Sequence, residues 1–391
     1  MPAQQIIRTN HLGTGSELEI KTEQTVGSVV LRGKGDFPGH VELIAHDHST
    51  QLSPDEHTDN RDSIWTSNLI VFEPPVNKFV IKGLKDGVSF EIITLRLPDV
   101  EQQHTPGVPA NDCGQPPMVL QAEWRAGLPP PDYDRVFNQV HNLIIHHSAT
   151  SNALTDYTSL VRSIYTYHTG VNGWSDIGYN YLIAPDGTIF AGRDPGNDME
   201  THQVLGAHFC ASNTGTMGIC LLGTFMDVAP TAEMTASLIQ LISWKTALDS
   251  IPPLSYYPHP LDPELPTIAG HRDGCSTLCP GDMVYGYLQS YRNLTQQQLI
   301  ACGVFLGSTA EPFATSGARI YPNPVSGTNI SLMLKTEPLS VQIIDINGRQ
   351  FPVHYECEQQ RLHLTQNLPQ GIYLLLIRYD SGVESLKFVQ L

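Results

Sequence analysis

The sequence predicts a central α/β domain with a covered sheet, set between an N-terminal and a C-terminal β-sandwich. Short β-branched stretches separated by turn formers fill both ends, whereas the middle alternates apolar strands with stretches of helical period. A length of 391 residues exceeds one core and suits two or three domains. Stretches rich in Pro, Gly, Ser and Thr punctuate the chain between these regions. The expected organisation is an all-β domain over 1–97, a linker over 98–117, the α/β domain over 118–302, a linker over 303–318 and a β domain over 319–391.

Each element has a local reason. In the N-terminal region 26–31, 40–45 and 78–82 are short and apolar, with Lys34-Gly35-Asp36 and Lys85-Asp86-Gly87 as turns. In the centre, 142–147 is an apolar strand. Tyr157, Leu160, Val161, Ile164, Tyr165 and His168 then fall on one helical face behind Thr155-Asp156, a suitable N-cap. Segments 179–184 and 188–191 flank Pro185-Asp186-Gly187, which has hairpin-turn chemistry. Another buried strand follows at 217–222, and Met234, Leu238, Leu241 and Ile242 line a second helix. Strands return at 341–345 and 372–378.

Composition excludes several functions. The formal charge is −17 and no Lys/Arg-rich block is present, so nucleic acid and anionic membrane are poor partners. No apolar run reaches the roughly 18–20 residues of a membrane span. The first ten residues also lack the apolar core of a signal peptide. If Cys279 binds a metal, Cys113, Cys210, Cys220, Cys275, Cys302 and Cys357 remain, with Cys275–Cys302 the favoured pair among many.

The chemistry concentrates in two segments, Ile145-His146-His147-Ser148-Ala149-Thr150 and Gly270-His271-Arg272-Asp273 through Cys279-Pro280-Gly281. Two imidazoles and a thiolate make a three-ligand zinc site whose open fourth position marks a catalytic rather than a structural ion. Adjacent strand residues point to opposite faces, so His146 and His147 cannot both reach one ion.

With Gly173-Trp174-Ser175-Asp176-Ile177-Gly178-Tyr179-Asn180-Tyr181, Asp186-Gly187-Thr188-Ile189-Phe190-Ala191-Gly192-Arg193, and Gly206-Ala207-His208 with Asn213, these segments resemble the zinc amidase family of peptidoglycan recognition proteins and N-acetylmuramoyl-L-alanine amidases. The resemblance implies a mixed sheet flanked by helices and zinc held by His146, His271 and Cys279. It also implies hydrolysis of the amide between muramic acid and L-alanine, with peptidoglycan or a muropeptide as partner. Tyr179 matches the family's catalytic tyrosine. Thr277 is a candidate for positioning the scissile carbonyl. His208, Arg193, Trp174 and Asn213 are expected along the substrate groove, although His208 and Trp174 are equally at home as scaffold and Asn213 suits holding its own loop. His168, on an apolar helix face, reads as a core residue.

The C-terminal region resembles a type IX secretion sorting domain, through Ile320-Tyr321-Pro322-Asn323-Pro324-Val325, 341–349, Leu368-Pro369-Gln370-Gly371-Ile372-Tyr373 and the closing Lys387-Phe388-Val389-Gln390-Leu391. This implies the type IX machinery as partner of 319–391 and a secreted or cell-surface protein of a Gram-negative, Bacteroidetes-type bacterium. The expected chain start then lies after a removed signal or is misplaced. A non-catalytic peptidoglycan sensor, and a zinc amidase or peptidase for another peptide, are the rival functions.

Overall fold

A computed structural model describes residues 4–99 except 14, 16, 47 and 56–62, then 113–196 and 203–304, and 320–390 except 321–324, 326, 335, 346–349, 359–360, 366 and 380–381. The centres of both expected linkers and the segment Tyr321-Pro322-Asn323-Pro324 lie outside the described residues.

The N-terminal strands are β1 (Gln5–Leu12), β2 (Leu18–Lys34), β3 (Val41–Ala45), β4 (His48–Leu52), β5 (Ile64–Thr66), β6 (Ile70–Lys82) and β7 (Ser89–Arg96). Hydrogen bonds join them in one sheet of order β1-β7-β2-β6-β3-β4, with β5 on β2. Register shifts between β2 and β6 mark bulges, which bend and twist a strand. Successive side chains alternate across a strand, and here both faces are buried. Val29 and Leu31 of β2, with Ile92 of β7, enter a core of N-terminal residues alone. Val30 of β2, with Ile93 and Leu95 of β7, enters the core of the central domain beside Trp124, Leu160, Val161 and Ile164.

The central sheet comprises β8 (Asn142–His147), β9 (Tyr181–Ile183), β10 (Ile189–Ala191), β11 (Thr216–Leu221) and β12 (Ile268–Gly270). Its order is β10-β9-β11-β8-β12, parallel except for the β9–β10 hairpin, so the sheet is mixed. Helices α1 (Gln121–Trp124), α2 (Tyr157–Thr166), α3 (Ala232–Asp249) and α4 (Asp282–Ala301) complete this region. Asp156 caps α2 by accepting from the Ser159 N–H at 2.8 Å, and α2 runs into a π-helical turn, Tyr167–Val171, that carries His168.

Three N-terminal side chains fasten onto α2 and that turn. Arg8 and Arg32 each donate at 3.0 Å, to the Gly170 and Val171 carbonyls. Glu73 accepts from the Thr155 and Asp156 N–H groups at 2.7 and 3.2 Å.

The C-terminal region holds β13 (Asn329–Met333), β14 (Ser340–Asp345), β15 (Gln350–Phe351), β16 (Tyr355–Glu358), β17 (Arg361–Thr365), β18 (Gly371–Tyr379) and β19 (Gly382–Gln390). They form two sheets, β13-β17-β16 and β15-β14-β18-β19. Ile330, Leu332, Leu362 and Leu364 from the first share a core with Ile343, Leu375, Ile377 and Phe388 from the second. The disulfides are Cys113–Cys302 and Cys210–Cys275, which corrects the expected Cys275–Cys302 pair. Each cysteine is taken by a partner within bridging reach, with Cα separations of 5.9 and 6.2 Å. No helix among the described residues is long and apolar enough to cross a membrane.

Candidate metal centre

His146 is the penultimate residue of β8, and His271 directly follows β12, its parallel neighbour. Both therefore sit at the carboxyl edge of the sheet, where open α/β sheets bind ligands. Cys279 returns to that edge on the loop before α4. All three are buried, and their ligand atoms lie within 4.8 Å of one another. Cys279 Sγ is 3.7 Å from His146 Nδ1. Tetrahedral zinc, with bonds of about 2.0–2.3 Å, holds a nitrogen and a sulfur roughly 3.5 Å apart. The donor set fits zinc in chemistry and spacing.

The loop from His271 to Cys279 is braced internally. The Arg272 N–H donates to the Cys279 carbonyl and the Cys279 N–H to Thr277 Oγ1, both at 3.0 Å. Arg272 pairs with Asp282 at 2.6 Å. His147 is turned from the ion site, as strand alternation requires. Its Nδ1 accepts from the Phe225 N–H at 3.5 Å, while its backbone N–H donates to Cys279 Sγ at 3.3 Å. A second cluster, Cys210, His271 and Cys275, also has metal-ligand spacing. Its two sulfurs are joined as a disulfide, so neither is a thiolate.

Tyr179 stands beside the centre, its ring 5.3 Å from that of His146. Burial, reinforced by neighbouring groups including the Cys220 thiol, pushes its hydroxyl well above the ordinary tyrosine value. The phenol therefore keeps its proton and is a donor. A cavity of about 30 Å³ adjoins it, walled by Ser148, Thr150 and His168 of the central domain and by Asp55 and Asn68 of the N-terminal region. Asp55 accepts from the Tyr167 hydroxyl at 2.5 Å.

The four expected groove residues have different surroundings. Trp174 is half-buried and packs on His168 at 4.5 Å. Arg193 is inside the fold, 7% exposed, its Nε donating to the Ile177 carbonyl at 2.9 Å. Asn213 Oδ1 accepts from the His208 and Phe209 N–H groups at 2.7 and 2.9 Å, holding its own loop. His208 is 3% exposed and lies behind His146, with Nδ1 3.0 Å from His146 Nε2.

Sequence reasoning quoted Asp176 only as part of a motif, yet it organises the turn before Tyr179. Its carboxylate accepts from Gln121 Nε2, the Ile177 and Asp194 N–H groups and the Tyr133 hydroxyl, at 2.9, 2.7, 2.9 and 3.3 Å. Burial outweighs these donors and pushes the carboxyl up to about 6. An acidic residue three positions before Tyr179 in the motif is the available signal.

Fold and donor set together define an α/β protein with an open three-donor centre at the carboxyl edge of its sheet. Residues 136–282 match the family described as N-acetylmuramoyl-L-alanine amidase, and residues 319–390 match the secretion system C-terminal sorting domain. Mouse peptidoglycan recognition protein 1 is 30% identical over 179 residues, covering 45% of this chain and 88% of the relative. Human N-acetylmuramoyl-L-alanine amidase is 30% identical over 157 residues, covering 39% of this chain and 24% of that protein. The solved structure of wild-type Drosophila PGRP-LB is 26% identical, with a TM-score of 0.36 over 44% of this chain and 93% of its own. The chain belongs to the family of peptidoglycan recognition proteins and N-acetylmuramoyl-L-alanine amidases, and it ends in a secretion sorting domain.

Proposed function

We propose that this protein is a secreted zinc hydrolase that cleaves the amide between N-acetylmuramic acid and L-alanine in peptidoglycan. The observation that carries the reading is the convergence of His146, His271 and Cys279, from three separate segments, to within 4.8 Å. Zinc there would polarise the scissile carbonyl and make water acidic enough to act as a nucleophile near neutral pH.

The chain's own residues supply the rest. Tyr179, protonated and next to His146, donates a hydrogen bond to the oxygen that gains charge in the tetrahedral intermediate. Thr277, whose oxygen accepts from the Cys279 N–H beside the centre, helps position the carbonyl. Trp174 offers a half-buried ring to a sugar face. Arg193, His208 and Asn213 shape the groove from inside, through the turn of Ile177, the imidazole of His146 and the 208–213 loop.

The sorting domain supports export by the type IX route and a secreted or cell-surface location in a Bacteroidetes-type bacterium. The shared core of the two C-terminal sheets supports a sandwich there. The proposed domain limits stay at 1–97, 118–302 and 319–391. A binding-only role is the second reading, favoured by relatives named as recognition proteins.

Digestion of muropeptides read by mass spectrometry, with metal analysis of the same preparation, decides between them. Release of free stem peptide by a zinc-containing protein is expected; binding without turnover would overturn the hydrolase. Cys279→Ala should lose metal and activity together. Tyr179→Phe should keep its zinc and turn over roughly 10²–10³-fold more slowly; an undiminished rate removes Tyr179 from the reaction.

A further inference from the structure

We propose that His208 is a positioning residue that fixes His146 in the tautomer protonated at Nε2, so that the Nδ1 lone pair faces the metal centre. The proposal rests on the zinc reading above, and it follows from counting protons along one buried chain of hydrogen bonds.

The count starts at a carbonyl. The Thr216 hydroxyl donates to the Asn213 carbonyl at 2.7 Å, and a hydroxyl has one proton. Towards His208 Nε2, 3.3 Å away, Thr216 Oγ1 can therefore only accept. His208 Nε2 carries the proton for that bond. A neutral imidazole has a single N–H, so His208 Nδ1 presents a lone pair. The partner of that lone pair is His146 Nε2, at 3.0 Å, which must bring a proton to the bond. The lone pair of His146 is then on Nδ1, the nitrogen 3.7 Å from Cys279 Sγ. A metal-ligating histidine commonly has its other nitrogen fixed by such a partner, usually a carboxylate or a carbonyl. Here a second histidine does it.

The surroundings of His208 are built for this placement. The ring is perpendicular to that of His146, at 84°. Asn213 pins its backbone. Gly218 on β11 provides the floor: a Cβ there would stand 2.6 Å from the His208 ring, closer than real contacts allow. Gly206 leaves the same room on another side, with a Cβ distance of 2.5 Å to the ring. No surface contact is needed to explain a ring held this way.

The test compares His208→Leu, which fills the space without an acceptor, with His208→Gln, whose amide oxygen can accept from His146. Zinc affinity is read by chelator competition, and ¹⁵N NMR of the metal-free wild-type protein reports which nitrogen of His146 is protonated. Zinc affinity should fall about 10–100-fold in His208→Leu and recover in His208→Gln. Metal-free wild-type protein should carry the His146 proton on Nε2. Wild-type affinity in His208→Leu, equal losses in both variants, or a His146 proton on Nδ1 would each overturn the proposal. The NMR measurement needs no variant, so poor folding of His208→Leu leaves the idea testable. A wild-type protein that binds no zinc while showing the Nε2 tautomer would sink the hydrolase and leave the His208 assignment standing.

Discussion

The two β-rich flanks differ in where their apolar residues go. In the C-terminal flank, both sheets turn their apolar residues into one core made of residues from 320 onward. In the N-terminal flank, two strands divide their side chains: Val29, Leu31 and Ile92 serve the flank itself, while Val30, Ile93 and Leu95 serve the central domain. Similar strand composition thus yields a self-sufficient unit in one case and a shared wall of the central domain's core in the other. Topological position in the sequence does not distinguish them; the destination of alternate residues does.

Core truncations give the largest contrast. Leu95→Ala and Leu375→Ala each remove a fully buried leucine side chain, at a cost of about 2–5 kcal/mol. Hydrogen exchange should show Leu95→Ala weakening protection in both the N-terminal strands and α2, because Leu95 shares one core with Leu160, Val161 and Ile164. Leu375→Ala should weaken protection among β13–β19. Equal loss in α2 from the two variants would dissolve the distinction.

Acidity gives the next contrast. Burial raises Asp176 from the usual 3.8 to about 6, so the folded state holds its proton at pH values where the unfolded state has lost it. The sign follows: stability is highest below about pH 4 for this group and declines as pH rises to about 6, by roughly 3 kcal/mol. The stability difference between wild type and Asp176→Asn should change by that order across the window, in the unfolding of the central domain. A constant difference would show that Asp176 does not titrate there.

The smallest expected effect sharpens the joint between the N-terminal flank and α2. Partial burial pushes the Glu73 carboxyl up, yet the donors from Thr155 and Asp156 prevail and hold it below its usual range. Glu73→Gln should cost about 0.5–1 kcal/mol near neutral pH, since the site is exposed. Its lowered pKa means that this contribution is present above the unfolded carboxylate value and fades on acidification. Chemical denaturation of both forms at neutral and acid pH checks this, and a pH-independent difference would contradict it.

Much of the centre was legible because its signals are local. Strand alternation separated His146 from His147, and a helical period placed α2 with Asp156 at its start. The His271–Cys279 spacing suggested a loop that returns to the same ion. What could not be read depends on partners distant in sequence. His208 looks like any loop histidine until β11 and β8 pair and bring Thr216 and His146 to its two nitrogens. Arg193, expected along the groove, also donates from Nε to the Ile177 carbonyl, a partner set only by the folded turn. The doubled burial of β2 and β7 reads as an ordinary apolar strand. Cys275 was assigned to Cys302 because no sequence signal reveals that Cys210 is the nearer thiol.

The Cys210–Cys275 bridge determines which sulfur the centre has to offer. Without it, Cys210 and Cys275 would stand with His271 as a competing donor set, sharing an imidazole with the candidate metal centre. Oxidation of that pair withdraws the rival thiolates and leaves Cys279 as the sulfur of the candidate centre beside His271. Reducing the bridge would return two rival sulfur donors to the side of His271.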